Sequence, residues 1–159
     1  MPLRSTRRIV ARAEHVYVDP SALLKLYVHE PESAAMNAWR ARTSGTLPVT
    51  LHGWLEVSNG ISLAAFRGFI DDDAASDALA SFDEDLREER CAIADVPWRR
   101  ALRTAGALAR THTRRLGCRS LDVLHVAVAA ELGMRQFVTF DRRQASLARA
   151  HGLKVVAPR

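Results

Sequence analysis

Short apolar runs alternate along the chain with longer segments in which apolar residues recur every three or four positions. The runs that predict strands are residues 15–18, 46–49, 91–96, 136–140 and 154–156. The segments that predict helices are residues 21–28, 32–42, 51–68, 71–89, 97–117, 120–132 and 143–151. Strands that alternate with helices are joined by right-handed crossovers, which make neighbouring strands parallel. We therefore predict an α/β fold, with a mostly parallel central sheet of four to five strands and helices on both faces.

Residues that favour helix ends mark several of these boundaries. Thr50 is placed to cap the helix that follows it, and Pro97 suits a first helical turn. Gly117 and Gly133 fit the ends of the next two helices. In the helix after Thr50, the large apolar residues predict the buried face, which is Leu51, Leu55, Ile61, Leu63 and Phe66.

The size and composition of the chain predict one folded domain. Its 159 residues match a typical domain, and 48% hydrophobic with 26% charged residues fits a chain with an apolar core. Apolar runs stay well below the roughly 20 residues of a membrane-spanning helix, so we expect a cytoplasmic protein that has no membrane partner. Residues 1–14 carry four arginines and are predicted to be a basic extension before a single domain of residues 15–159.

Charge is distributed unevenly along the chain. Residues 71–95 carry ten acidic and two basic residues, a net charge of −8, whereas residues 96–119 carry seven arginines and no acid, a net charge of +7. One interpretation is that these two helices are neighbours and neutralise each other's exposed faces. The other is that the arginines bind the phosphates of a nucleic acid, with Arg114, Arg115 and Arg119 as candidate contacts.

Four acidic residues occupy positions that an α/β fold brings to one rim of its sheet. Asp19 and Asp141 each follow a predicted strand, while Glu56 and Asp122 lie near the starts of predicted helices. Each could be only a turn or first-turn residue. Together, however, four carboxylates repel one another unless a cation joins them, and an all-oxygen set favours Mg²⁺ or Mn²⁺ over zinc. Such a cation promotes hydrolysis of phosphodiesters.

The segments that contain these acids resemble the signature segments of the PIN-domain family, in the family's order. They are Val-Tyr-Val-Asp-Pro-Ser (16–21), Trp-Leu-Glu-Val (54–57), Arg-Ser-Leu-Asp (119–122) and Phe-Val-Thr-Phe-Asp (137–141). The resemblance spans residues 15–157 and is strongest to the VapC-type toxins of bacterial toxin–antitoxin pairs. Pro20 stands where the family often has Thr or Ser.

This resemblance implies a PIN-like three-layer sandwich and a Mg²⁺-dependent endoribonuclease, with Mn²⁺ as an alternative ion. It implies that Asp19, Glu56, Asp122 and Asp141 are catalytic, with the three aspartates as metal ligands. Ser21 and Thr139 match hydroxyls that orient carboxylates or bound water. The implied partners are cellular RNA, a second copy in a homodimer, and a small antitoxin, which can join the dimer in a larger complex.

The first two predicted helices also carry many apolar side chains. Either these side chains pack in the core, or they exceed what one face of a small sheet needs and an antitoxin helix binds there. The residues are Leu23, Leu24, Leu26, Tyr27, Met36 and Trp39.

Other functional classes have less support. The six histidines show no metal-ligand spacing, and His125 is expected to pack on its helix or support Asp122. A non-catalytic RNA- or protein-binding module on the same fold is the main alternative, which a cleavage assay distinguishes. A phospho-acceptor domain needs an acidic pair after its first strand and a lysine closing its last. Here Asp19 stands alone and Lys154 opens the last strand.

Overall fold

The computed structural model describes residues 11–159, and five of the strands in that range lie side by side as a central parallel layer. The strands are β1 (Ala11–Arg12), β2 (Val16–Val18), β3 (Thr43–Ser44), β4 (Leu47–Val49), β5 (Cys91–Ile93), β6 (Gln136–Val138) and β7 (Lys154–Val156). β6 pairs with β2 on one side and with β7 on the other, and β4 pairs with β5. Contacts between β2 and β4 join these ladders in the order β5-β4-β2-β6-β7. β1 and β3 form a separate parallel pair.

Helices cover both faces of this layer. They are α1 (Pro20–Leu24), α2 (Ser33–Ala41), α3 (Leu51–Phe66), α4 (Asp72–Arg87), α5 (Trp98–Leu116), α6 (Ser120–Glu131) and α7 (Arg142–Ala150). Successive side chains of a strand point to opposite faces, so Val16 and Val18 pack in one core while Tyr17 packs in the other. The first core contains α1 to α4 and the second α5 to α7. The predicted α/β fold with helices on both faces is confirmed.

The helix ends predicted from capping residues agree with the structure at Thr50, Gly117 and Gly133. The Thr50 hydroxyl accepts a hydrogen bond from the Gly53 amide at 2.8 Å, as expected of a helix cap. Gly117 ends α5 with a φ of 67°, and Gly133 follows α6 with a φ of 69°. Both need the left-handed conformation that glycine adopts at low cost. β2, β4, β5 and β6 are shorter than predicted, whereas β7 has the predicted bounds. α1 ends at Leu24 and continues as turns.

The predicted buried face of α3 is wrong for three of its five residues, whereas Ile61 is fully buried as predicted and Leu63 is partly buried. Leu51, Leu55 and Phe66 are 60%, 56% and 88% exposed, and the buried residues are Gly53, Val57, Ile61 and Ala64. The reason is the close approach of α1. A Cβ at Gly60 would lie 2.9 Å from a methyl group of Leu24, so α1 packs on a stripe of small residues and the large ones face outward.

The idea that the acidic and arginine-rich helices neutralise each other is also wrong. α4 buries Phe82 in the first core, whereas α5 buries Leu108 in the second, so the two helices lie on opposite sides of the sheet. Within the described residues, no ion pair joins α4 to α5. The arginine-rich helix therefore presents its positive charge to solvent.

The start of the chain is described only in part. Residues 1–10 of the predicted basic extension lie outside the described residues, and the prediction for them stays a prediction. Residues 11–14 belong to the folded part, because β1 pairs with β3 and Ala13 is fully buried. Within residues 11–159, no helix has the length and apolar character needed to cross a membrane.

Candidate active site

One cleft of about 500 Å³ brings together the four acidic residues that the sequence predicted. Asp19, Glu56, Asp122 and Asp141 all line it. Asp19 caps α1 directly after β2, and its amide donates to the carbonyl of Val138 in β6 at 3.0 Å. Because β2 and β6 are parallel neighbours, the residues that follow them meet at the same edge of the sheet. α3 and α6 bring Glu56 and Asp122 to that edge.

Asp19 is the most buried of these acids, with 6% of its surface exposed. Burial is the main cause that raises the pKa of its carboxyl, and Glu56 raises it further. Hydrogen bonds from Ser21 and Gln144 and the nearby His125 oppose this shift. The Ser21 hydroxyl donates to Oδ2 of Asp19. No lysine or arginine in the described range pairs with Asp19, so its charge lacks a direct counter-ion.

Asp122 and Asp141 each use one oxygen to cap a helix. Oδ2 of Asp122 accepts the amide of Arg119 at 2.9 Å, and Oδ1 of Asp141 accepts the amide of Gln144 at 2.8 Å. Asp122 and Asp141 therefore do have the structural role at a helix start that the sequence left open for them. Each second oxygen, Oδ1 of Asp122 and Oδ2 of Asp141, has no hydrogen-bond partner among residues 11–159. The three aspartates offer the all-oxygen donors that a hard divalent cation prefers, but their ligand atoms do not all lie within 4.8 Å of one another as those of His52, Glu56 and His125 do.

Glu56 belongs to a hydrogen-bonded chain that runs into the core. Nε2 of His125 lies 2.6 Å from Oε2 of Glu56, and Nδ1 of His125 lies 2.7 Å from the hydroxyl of the buried Tyr17. Nε2 of His52, one helical turn before Glu56, lies 3.3 Å from the same carboxylate oxygen. The expectation that His125 supports Asp122 is wrong, because its partners are Glu56 and Tyr17.

The chain matches the PIN domain family over residues 16–155. The chain belongs to that family. It is also 31% identical over 151 residues to Ribonuclease VapC46 of Mycobacterium tuberculosis (strain ATCC 25618 / H37Rv), an alignment that covers 90% of this chain and 97% of the relative. These matches confirm the resemblance to the PIN-domain family and to its VapC-type members that was based on four short segments.

The supporting hydroxyls of this PIN domain have different positions. Ser21 lines the cleft and bonds Asp19 directly. Thr139 is buried beneath the cleft, where its hydroxyl accepts the amide of Asp141 at 3.0 Å and donates to the Gln144 side chain at 2.9 Å. It therefore holds the turn that carries Asp141 and does not contact a carboxylate.

The candidate RNA-binding arginines divide into two groups. Arg119 lines the mouth of the cleft and is largely exposed, and its Nε contacts Oδ2 of Asp122 at 3.4 Å. Arg114 and Arg115 are exposed in the last turn of α5, shortly before the loop that carries Arg119. All three thus lie on the segment that leads into the acidic cleft.

Three contributors to this cleft were not found from sequence. Gln144 lies at the third position of α7 and reaches both Thr139 and Asp19. His52 contacts the Glu56 carboxylate, and Tyr17 holds His125, which contacts the same carboxylate. The only local signal was the spacing of His52 and Glu56, since residues four apart share a helix face.

Proposed function

We propose that this PIN domain is a metal-dependent endoribonuclease that acts as the toxin of a toxin–antitoxin pair. The observation that carries the proposal is the convergence of Asp19, Glu56, Asp122 and Asp141 on one cleft. Four carboxylates that share one cleft repel one another, and a bound cation would offset that repulsion. Family membership and a relative named as a ribonuclease support RNA as the substrate.

Asp19, Asp122 and Asp141 would hold the cation, which is Mg²⁺, with Mn²⁺ as a substitute. When bound there, the ion supplies positive charge to a phosphodiester and promotes attack by water. The Ser21 hydroxyl fixes the orientation of Asp19, and the Gln144 amide fixes that of Asp141. The second carboxylate oxygens of Asp19 and Asp141 are then already oriented for the cation, so its binding costs little side-chain entropy.

Glu56 has a separate role in the proposal. Its Oε2 is engaged by His125 at 2.6 Å, so its Oε1 is the atom available to accept a proton from the attacking water. His125 acts as a positioning residue, because it contacts Glu56 and is itself held by the Tyr17 hydroxyl.

The arginines would bind the RNA strand along the segment that leads into the cleft. Arg114 and Arg115 project from the end of α5, and Arg119 lies at the cleft itself. Cations at these positions attract phosphates without reading base sequence. A substrate of this kind places the enzyme in the cytoplasm, where cellular RNA is found.

The antitoxin and a second copy of the chain remain proposed partners, but the expected antitoxin surface is wrong. Leu23, Met36 and Trp39 are buried in the first core, and Leu24, Leu26 and Tyr27 are packed against it. One group of exposed apolar residues lies at the start of α3, where Leu51, Trp54 and Leu55 are 60%, 39% and 56% exposed. This patch is the better candidate surface for a protein partner.

An RNA-cleavage assay tests the proposed activity. Untagged protein, freed of host nucleases, should cleave single-stranded RNA with Mg²⁺ and lose activity in excess EDTA. Asp122→Asn should lower the rate by about 100-fold or more, since an ion contributes several kcal/mol to transition-state charge. Asp77→Asn is the matched control, because Asp77 is exposed on α4 across the sheet.

The same assay tests the alternative of a non-catalytic module. RNA binding without cleavage by the wild-type protein would support the module and contradict the enzyme. Cleavage that is equal in wild type and Asp122→Asn would show that the cleft is not the active site.

A further inference from the structure

Two histidines and a glutamate lie together beside the acidic cleft. His52 and Glu56 lie one turn apart on α3, and His125 reaches the same place from α6. One ring nitrogen of His52, one ring nitrogen of His125 and a carboxylate oxygen of Glu56 all lie within 4.8 Å of one another. The three side chains thus offer two imidazole nitrogens and one oxygen to a single point, a donor set that differs from the aspartates of the cleft.

The separations between these atoms are close to those that a tetrahedral ion requires. Bonds of about 2.0 to 2.1 Å to zinc place adjacent ligand atoms about 3.3 Å apart. Nε2 of His52 is already 3.3 Å from Oε2 of Glu56. Nε2 of His125 lies 2.6 Å from the same oxygen, so that contact must lengthen by about 0.7 Å when an ion replaces the shared proton. A side-chain movement of this size needs no change in the backbone.

The surroundings orient both histidines for binding. Nδ1 of His125 bonds the Tyr17 hydroxyl at 2.7 Å, and outer hydrogen bonds of this kind direct the other ring nitrogen toward a metal. Nε2 of His52 is shielded from solvent and has no hydrogen-bond partner in the described part of the chain, since its contact with Glu56 lacks the required geometry. A buried ring nitrogen without a partner is costly, and an ion would satisfy it.

We propose that His52, Glu56 and His125 form a binding site for a divalent transition-metal ion of the zinc class. Two imidazoles with one carboxylate select such ions, whereas Mg²⁺ prefers oxygen ligands and retains its waters. The site shares Glu56 with the acidic cleft but uses none of the three aspartates. It does not depend on the proposed nuclease activity, and its test uses no RNA.

Titration with Co²⁺ tests the site, because Co²⁺ bound by nitrogen and oxygen in a tetrahedral or five-coordinate site absorbs visible light strongly. The untagged full chain is first freed of metal. Wild type should bind one Co²⁺ that gives strong visible absorption, and added Zn²⁺ should abolish that absorption. His52→Gln should weaken binding at least tenfold, because even outer-sphere partners of a metal contribute about 10- to 100-fold. His151→Gln, at an exposed histidine, should match wild type in both Co²⁺ affinity and visible absorption.

Three results would overturn the site. The first is wild-type protein that gives no visible Co²⁺ absorption. The second is equal Co²⁺ affinity in wild type and His52→Gln. The third is loss of the absorption in Asp122→Asn with retention in His52→Gln, which would place the ion in the acidic cleft. His52 is partly exposed, so its variant is expected to fold, and its thermal melt is recorded beside that of His151→Gln.

Discussion

Removal of one hydroxyl from the core should weaken both the fold and the proposed active site. Tyr17→Phe keeps the ring that stacks on Phe137 at 5.3 Å but removes the oxygen that bonds Nδ1 of His125 at 2.7 Å. Both partners are buried, so Nδ1 of His125 is left without its hydrogen bond. His125 is then free to change its ring orientation or tautomer, and Glu56 loses its fixed position.

The size of the effect follows from the burial of the pair. An unsatisfied buried polar atom costs about 1–3 kcal/mol. In a domain of 159 residues, each kcal/mol lowers the melting temperature by about 2–4 °C, so the expected decrease is about 2–12 °C. The rate of RNA cleavage at a temperature where both proteins are folded should fall about tenfold or more, the usual loss for an outer positioning group.

Tyr27→Phe is the matched control, because the chain contains two tyrosines. The Tyr27 hydroxyl donates to Oδ2 of Asp85 at 2.7 Å, on the other side of the sheet from Tyr17. Its loss should lower stability without changing the cleavage rate. Thermal and urea unfolding in EDTA give stability, and single-turnover cleavage gives the rate. Wild-type stability and rate in Tyr17→Phe, or an equal rate loss in both variants, would refute the role given to the Tyr17–His125 pair.

Two further predictions concern charge. Burial raises the pKa of Asp19, so the native state binds more protons than the unfolded state, and wild-type stability falls as pH rises through the interval between the unfolded and folded pKa values. Asp19→Asn should therefore gain stability relative to wild type toward neutral pH in EDTA, and a pH-independent difference in urea unfolding would contradict this. Reversal of Arg114 and Arg115 to Glu should reduce the slope of log RNA affinity against log salt by about 0.7 per lost phosphate contact, whereas Arg87→Glu on α4 should leave it unchanged. An unchanged slope in the double variant would remove these arginines from the RNA interface.

Much of the fold could be predicted because its boundaries depend on local chemistry. Thr50 and Asp141 cap helices through their own side chains, and Gly117 adopts a backbone conformation that other residues resist. Such signals act within a few residues and can be recognised in one sequence. The order of strands and helices then follows, and with it the edge of the sheet at which Asp19 and Asp141 meet.

Features that depend on distant contacts could not be predicted in this way. The buried face of α3 follows from the approach of Leu24 to Gly60, and hydrophobic periodicity gives no sign of it. The chain crosses from one face of the sheet to the other between α4 and α5, a change that their charges do not indicate. His125 meets Glu56 across 69 positions, so a search for spacing within one segment misses the pair.

Binding of Mn²⁺ to the RNA-free protein would show whether the aspartates form a metal site. The electron paramagnetic resonance signal of free Mn²⁺ reports the bound fraction, and a His52→Gln background excludes the histidine site from the measurement. Mn²⁺ should bind and be displaced by excess Mg²⁺. Asp122→Asn should weaken binding at least tenfold, whereas Asp77→Asn should have no effect. Equal Mn²⁺ affinity in the Asp122→Asn and Asp77→Asn proteins would contradict the assignment of the cleft as a metal-dependent active site.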